Sequence, residues 1–299
     1  MNGICRALLV LSVWLIAPEV SAAAATRPLA VLVPGYFNLP GRQPPLLPGE
    51  WNYFSKVVVS TLQAEGFETH VIRDLNPVGT MAENGAALLR DLENLVAAHP
   101  DARISVIAHS AGGIYTAKAL TENPRLPIQT VVTIATPYQG AELADLVKWV
   151  PGYEEITRAL DLTSLYEFES GRIGGIVSTL KVPRRVRWVA LGAAQEVCAL
   201  DSCLQADHMS SVLSLAWSFM DEPGDGVVSL RSATQVALNR HEGGQVAVEH
   251  WPDLPIALDH WKVVVEADNF RLVGVTDPEW IGRSQRALFQ ELGRRLRQR

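Results

Sequence analysis

The sequence has no surplus of basic residues, no internal repeat and no long apolar run. Its 26 lysines and arginines are outnumbered by 32 aspartates and glutamates, which gives a net charge of −6 and a pI near 5.7. A chain with this charge has no general cationic field to hold a phosphate backbone, so nucleic acid is not expected as a partner. Without repeats, its 299 residues, of which 48% are hydrophobic, are expected to form one domain.

The longest apolar run near the N-terminus, 7–17, is too short to cross a bilayer comfortably. It follows a single arginine, Arg6, and is followed by Pro18 and a group of small residues. This order is more typical of a secretory signal peptide than of an uncleaved anchor, which is the alternative. We predict a signal peptide at 1–25, cleaved within 22–25, and a mature protein that is secreted or periplasmic in a bacterium.

Cysteine is scarce, with three residues in the whole chain. Cys5 leaves with the predicted signal peptide, so only Cys198 and Cys203, in "VCALDSC", remain. In an oxidising compartment these two are expected to form a disulfide, and two free thiols are the alternative. Two thiols alone make a poor zinc site, so no metal is predicted there.

The chain does contain a regular alternation of short apolar runs with helical stretches. The strand candidates are "LAVLVPGY", "ETHVIRDL", "RISVIAH", "IQTVVTIATP", "RVRWVALGA" and "GQVAVEH". The helix candidates are "YFSKVVVSTLQAEG", "MAENGAALLRDLENLVAAHP", "GGIYTAKALTENP" and "DPEWIGRSQRALFQELGRRL", the last with Asp277 as its N-cap. This alternation predicts an α/β domain at 26–299, with a mostly parallel sheet of about six strands and helices on both faces.

A serine lies where one of these strands ends and a helix begins, in "IAHSAGG". A serine in such a turn is usually a helix cap. It can also be a nucleophile, held in a strained strand-to-helix turn that needs small residues two positions before and after it. Here those residues are Ala108 and Gly112, and the strand-before, helix-after context makes Ser110 a candidate nucleophile.

A serine nucleophile needs a positioned base, and the base needs an orienting carboxylate. Asp225, in a Gly-Asp-Gly turn, is the candidate carboxylate, although an aspartate there can also serve the turn itself. For the base, we favour His260, in a loop before an expected apolar helix, over His250 at the tail of a strand. His109 is a poor candidate, because the turn points it away from the neighbouring serine.

Acyl transfer also needs donors for the oxyanion of the tetrahedral intermediate. The backbone amide of Ala111, directly after the serine, is one candidate. The amide of Tyr36, after the Pro34-Gly35 turn in "VLVPGYFNLPG", is the second, and an ordinary Pro-Gly turn is the alternative there.

Four segments together resemble the secreted bacterial lipases and esterases of the α/β-hydrolase superfamily, of the triacylglycerol lipase type. They are "VPGY", "AHSAGG", "TIATPYQGAELAD" and "DGVVSLRSA". The resemblance implies the α/β-hydrolase fold and a Ser110–His260–Asp225 triad that hydrolyses carboxylic esters through an acyl-enzyme. Rivals are an acyltransferase or thioesterase on the same triad and, from another class, a non-catalytic lipid-binding module.

The sequence departs from the pattern of that family at three positions. Pro34 replaces the histidine of the oxyanion segment, and Tyr138 replaces the histidine after Thr-Pro. Lys262 stands where the calcium-dependent members have an aspartate that helps to hold the ion. A lysine cannot ligate calcium, so neither a metal nor another cofactor is predicted.

One interval, about 141–180, breaks the strand–helix alternation with helical apolar spacing and no convincing strand. It is either a pair of extra helices packed on the domain or a lid over the site. Because it follows a strand end, where the catalytic residues are expected, its apolar face is expected to roof an acyl pocket. We expect an ester or lipid substrate, transient contact with a lipid surface through this lid insertion, and no obligate protein partner.

Overall fold

The computed structural model describes residues 28–36, 53–149, 151–159, 162–196, 209, 213–214, 217–218, 220, 222–273 and 277–298. The strands are β1 Leu29–Val33, β2 Glu68–Val71, β3 Ile104–His109, β4 Ile128–Ile134, β5 Lys181–Val182, β6 Arg187–Leu191, β7 Asn239–Arg240 and β8 Val248–Glu249. The helices are α1 Lys56–Ala64, α2 Met81–Ala98, α3 Gly112–Glu122, α4 Glu142–Val147, α5 Tyr153–Ala159, α6 Ser170–Val177, α7 Leu230–Thr234 and α8 Pro278–Arg297. Two 3₁₀-helices span Thr163–Phe168 and Ala267–Val273.

Six strands form one sheet in the order β2-β1-β3-β4-β6-β8, and every adjacent pair is parallel. The central strands β1 and β3 are buried along their whole length, because helices cover both faces of the sheet. On one face Val31 packs with Leu88 of α2, and on the other Leu32 packs with Leu62 of α1 and Phe289 of α8. The predicted parallel α/β sheet is therefore confirmed.

Side-chain caps fix where several helices begin. Thr80 and Glu83 form a reciprocal capping box at the start of α2, which satisfies amides that the helix itself cannot pair. Asp277 accepts a hydrogen bond from the Trp280 amide and precedes Pro278, as predicted for α8. Local capping residues thus determine where these helices, which flank the sheet, begin.

All six predicted sheet strands and the four helices of the strand–helix alternation are present among the described residues, whereas the helix expected after His260 is not. The strands β5 and β7, which pair with each other, were not predicted because two residues are too few to show an alternating pattern. The 141–180 interval contains α4, α5, the 3₁₀-helix Thr163–Phe168 and α6, so it is helical as expected. The predicted signal peptide, and Cys198 and Cys203, lie outside the described residues. No helix in the described part of the chain is long and apolar enough to cross a membrane.

The apolar segment after His260, expected to be a helix, forms turns instead, and the 3₁₀-helix Ala267–Val273 follows it. Two of its carbonyl groups bind a distant side chain. The Gln285 amide on α8 donates to the carbonyls of Lys262 and Val265, at 2.9 and 2.7 Å. These two hydrogen bonds tie the turns to α8, a contact that local sequence does not show.

Candidate active site

Ser110 follows the last residue of β3 and has a φ of 55°, in the left-handed region that residues other than glycine rarely adopt. Two hydrogen bonds hold it there. Its amide donates to the Ile134 carbonyl at 2.9 Å, and its carbonyl accepts from the Thr136 hydroxyl at 2.7 Å. Both partners lie at the end of β4, so the neighbouring strand stabilises the strained turn that lifts the serine above the sheet.

The turn also depends on two close approaches at glycine, one to backbone and one to a side chain. A Cβ on Gly112 would lie 2.5 Å from the Val33 carbonyl oxygen. A Cβ on Gly35 would lie 2.6 Å from the Ser110 Cβ. The loop after β1 and the start of α3 are thereby brought against the serine, which is the small-residue requirement inferred from the sequence.

The three predicted triad residues meet at this point. His260 Nε2 is 2.9 Å from Ser110 Oγ, and His260 Nδ1 is 2.7 Å from Asp225 Oδ2. The other Asp225 carboxylate oxygen accepts from the amides of Val227 and Val228, at 3.0 and 2.8 Å. Asp225 is fully buried and both of its oxygens are hydrogen-bonded, so it can orient the imidazole as the base of a nucleophilic serine requires.

The two candidate histidines, His260 and His250, lie in different surroundings. His260 is buried and also bound through its backbone, since its amide donates to the Asp225 carbonyl at 3.0 Å. His250 follows β8 and its Nδ1 lies 3.2 Å from the Ala190 carbonyl, in a groove that does not include Ser110. The fold therefore brings His260, and not His250, to the serine.

The two candidate oxyanion donors lie beside the serine. Ala111 is at the N-terminal end of α3, and both Ala111 and Tyr36 line the same cavity as Ser110. The Tyr36 hydroxyl is 2.7 Å from the hydroxyl of Ser164, which lies in the 3₁₀-helix Thr163–Phe168. This bond holds the Tyr36 side chain against that helix. The assignment of the two backbone amides to the oxyanion stays a prediction.

Tyr53 and His109 form a buried pair that the sequence analysis did not place in the site. The Tyr53 hydroxyl is 2.8 Å from His109 Nδ1, and the His109 ring lies 4.7 Å from the His260 ring. His109 Nε2 is buried and has no hydrogen-bond partner among the described residues. No sequence signal links two residues 56 positions apart, although a histidine within an apolar strand does call for a polar partner.

Burial lowers the pKa of His109 well below its ordinary value, and the nearby His260 lowers it further. Burial also raises the pKa of Tyr53. Both side chains are therefore neutral at neutral pH. A neutral His109 matters for the site, because a second cation beside His260 would oppose protonation of the His260 ring.

The depressed pKa of His109 predicts a loss of stability in acid. Below about pH 6.5 the unfolded chain binds a proton at this position and the folded protein does not, so the free energy of unfolding falls as the pH falls. One such proton accounts for at most about 1.4 kcal/mol per pH unit. Urea unfolding between about pH 7.5 and pH 5.5 should therefore show a shallower pH dependence for His109→Gln than for the wild type. Identical slopes would contradict the assignment.

Lys262, the third departure from the pattern that the sequence resembles, is fully buried. Its ammonium group is 3.2 Å from Asp259 Oδ2 and 3.4 Å from Gln195 Oε1, and its backbone amide donates to Asp259 Oδ1 at 2.9 Å. Asp259 and Lys262 lie on either side of His260 in the chain, so the ion pair braces the loop that carries the imidazole. Among the described residues, no cluster of three or more histidines, cysteines and carboxylates could hold a metal ion.

Removing the charge of Lys262 is expected to destabilise the protein by about 3–5 kcal/mol, because Asp259 would keep a buried charge without its ammonium partner. We would measure Lys262→Met by urea unfolding. The matched control is Lys118→Met, which breaks an exposed pair with Glu122 and should cost at most about 1 kcal/mol. Equal effects of the two changes would show that the buried pair does not brace the loop.

Tyr138, the second departure from the family pattern, has a structural role. It is fully buried, its hydroxyl donates to Thr133 Oγ1 at 2.9 Å, and it accepts from the Trp188 indole at 2.8 Å. These bonds connect the end of β4 with the interior of β4 and with β6. With tyrosine in place of histidine, position 138 therefore keeps a hydrogen-bonding side chain beneath the site.

No protein-family model and no curated protein sequence matches this chain. Solved structures do match it. The metagenomic carboxyl esterase MGS0156 is 17% identical with a TM-score of 0.67, over 92% of this chain and 77% of that one. Lipase 1 from Pelosinus fermentans is 12% identical with a TM-score of 0.59, over 91% of this chain and 98% of that one.

The Bacillus licheniformis lipase BlEst2 matches in two forms. Its mature form is 18% identical with a TM-score of 0.56, over 90% of this chain and 93% of that one. This chain spans only 51% of the propeptide form. At such low identities, structural similarity establishes the fold and not the activity. The chain has the α/β-hydrolase fold.

Proposed function

We propose that the protein is a carboxylic-ester hydrolase that works through an acyl-enzyme on Ser110. The observation that carries the proposal is the hydrogen-bonded series from Ser110 through His260 to Asp225, with separations of 2.9 and 2.7 Å. It opens onto an apolar cavity, as an acyl group requires. Structures of similar fold include a carboxyl esterase and lipases, which supports the same class of substrate.

In the first half of the reaction, Ser110 Oγ attacks the ester carbonyl carbon while His260 Nε2 accepts its proton. Asp225 stabilises the imidazolium that results, and the amides of Ala111 and Tyr36 donate to the oxyanion. The tetrahedral intermediate collapses, the bond to the leaving oxygen breaks, and His260 returns the proton to release the alcohol. An acyl-serine remains.

In the second half, His260 removes a proton from water, whose oxygen attacks the acyl carbon. Collapse of this second intermediate breaks the bond to Ser110 Oγ, which takes the proton back from His260. The products are a carboxylic acid and the free enzyme. An acyltransferase would differ only here, with an alcohol or thiol in place of water.

The test is an assay of the purified, exported protein with p-nitrophenyl acetate and butyrate, with and without a metal chelator. We expect turnover in both conditions and its complete loss after one equivalent of an organophosphate has reacted. Failure of both turnover and organophosphate labelling would favour a non-catalytic lipid-binding module. A product that carries an added alcohol or thiol, formed faster than free acid, would favour an acyltransferase.

The proposal includes export and a role for the helical insertion at a lipid surface. Trp149, just after α4, is 85% exposed and is the side chain best suited to such contact. Mass spectrometry of the exported protein should find an N-terminus within 22–26. Cys198 and Cys203 should react with an alkylating reagent only after reduction, and their alkylation without a reductant would rule out the disulfide.

A further inference from the structure

We propose that the enzyme accepts only short acyl chains, of about two to six carbons, and that fixed side chains of the insertion set this limit. The inference rests on the proposed function and names its substrate class. The cavity beside Ser110 has a volume of about 60 Å³. Its walls include Pro137, Leu143, Leu165, Phe168, Val227 and Val228.

The volume bounds the acyl group directly. The cavity, at about 60 Å³, is several-fold smaller than the roughly 300–1,000 Å³ of pockets that enclose a drug-sized ligand, and a methylene needs about as much space as a water molecule. The described residues that line it contribute no lysine, arginine, aspartate or glutamate. An uncharged, short aliphatic acyl group fits these walls, whereas a sixteen-carbon palmitoyl chain is too large to be enclosed by them.

The far wall of the cavity, the 3₁₀-helix Thr163–Phe168, is tied to the body of the protein. The Ser164 hydroxyl donates to the Val78 carbonyl, and the Tyr36 hydroxyl then donates to Ser164 at 2.7 Å. The Glu167 carboxylate accepts from the Met81 amide, at the first turn of α2, at 2.7 Å. These bonds reach the loop after β1 and the start of α2, so the 3₁₀-helix cannot swing out without breaking them.

The roof of the cavity is fixed in the same way. The Glu142 carboxylate, at the start of α4, accepts from the Ser229 amide at 3.0 Å, close to the turn that carries Asp225. The Ala141 amide donates to the Phe168 carbonyl at 2.9 Å, which joins the roof to the far wall. The Phe168 side chain is 3% exposed, so it is a packed part of the wall.

The insertion therefore has an inner part that sets the size of the cavity and an outer part that does not. Leu143, Leu165 and Phe168 line the cavity, as expected if the insertion roofs an acyl pocket. Leu146, on the same helix as Leu143, does not line it. A lid that moves as one body would expose a long apolar groove, whereas the hydrogen-bonded inner wall keeps the pocket short.

The test compares kcat/KM for p-nitrophenyl esters from acetate to palmitate, in monomeric solution and with mixed detergent micelles. For the wild type we expect a maximum at or below hexanoate and a fall of at least about tenfold from hexanoate to octanoate. Phe168→Ala should raise the octanoate-to-butyrate ratio by about tenfold, because it lengthens the pocket. Phe168→Leu, a milder change, should move the ratio in the same direction and covers the case in which the alanine variant does not fold.

Leu146→Ala is the matched control, and its chain-length ratios should equal those of the wild type. Equal or faster turnover of palmitate than of butyrate, with or without micelles, would overturn the limit on chain length while leaving the ester hydrolase proposal intact. Unchanged ratios in both Phe168 variants would overturn the role of the inner wall. Failure to hydrolyse any of the esters would overturn both proposals together.

Discussion

Replacing Ser110 with alanine is expected to lower ester turnover by about a million-fold and to leave the fold intact. Alanine removes the hydroxyl that lies 2.9 Å from His260 Nε2, the only one that the described residues place there, so no acyl-enzyme can form on this residue. The positive φ of 55° is equally strained for alanine and serine. The hydrogen bonds from the residue 110 amide to Ile134 and from the Thr136 hydroxyl to the residue 110 carbonyl do not involve the Ser110 side chain. The melting temperature should therefore change little.

The measurement is kcat on p-nitrophenyl butyrate for the wild type and Ser110→Ala, together with the rate of covalent labelling by an organophosphate. Ser105→Ala is the matched control, because it removes a buried hydroxyl from the same strand without touching the site. We expect the control to keep full activity and labelling. If Ser110→Ala were labelled at the wild-type rate, another residue would be the nucleophile.

The parts of the site that could be predicted from sequence are those whose chemistry is local. The turn at Ser110 needs small residues at fixed spacings, and the strand before it and the helix after it are visible as periodic patterns. The choice of His260 over His250 also depended on local context, that is, a loop against the tail of a strand. Because these signals are local, the residues predicted from them are the ones that the fold brings together.

The parts that could not be predicted depend on contacts between distant segments. Tyr53 meets His109 across 56 positions, and nothing in either neighbourhood marks the partner. The turns after His260 look helical in sequence, and their carbonyls bind the Gln285 side chain, 20 and 23 positions away. Pairings of this kind follow from tertiary packing, which overrides local preference.

The size of the cavity beside Ser110 also depends on contacts between distant segments. The sequence predicts an apolar face in the insertion, and Leu143, Leu165 and Phe168 of the insertion do line the cavity beside Ser110. The volume of this cavity depends on the position of the 3₁₀-helix Thr163–Phe168. Single hydrogen bonds, such as the one from Ser164 to Val78, hold that helix in place. The sequence therefore supports an acyl pocket, whereas its length is a property of the packed structure.

Replacing His260 with alanine is expected to lower kcat on p-nitrophenyl butyrate by about a million-fold, whereas His250→Ala should keep most of the activity. His260 Nε2 is the base 2.9 Å from Ser110 Oγ, and without it the hydroxyl cannot lose its proton at neutral pH. Its ring is also the link to Asp225, so the alanine variant loses both the base and the group that the carboxylate stabilises. His250 contacts the Ala190 carbonyl and reaches no reacting atom.

Loss of the base can be distinguished from loss of structure with a small-molecule substitute. His260→Ala leaves a space beside Asp225 into which free imidazole can diffuse, and imidazole should restore part of the turnover in a concentration-dependent way. The His250→Ala protein should not respond to imidazole, and both variants should keep melting temperatures close enough to the wild type to be folded in the assay. If His250→Ala lost most of the activity and His260→Ala kept it, the proton would have to pass through a histidine that the fold holds away from Ser110, and the proposed mechanism would be wrong.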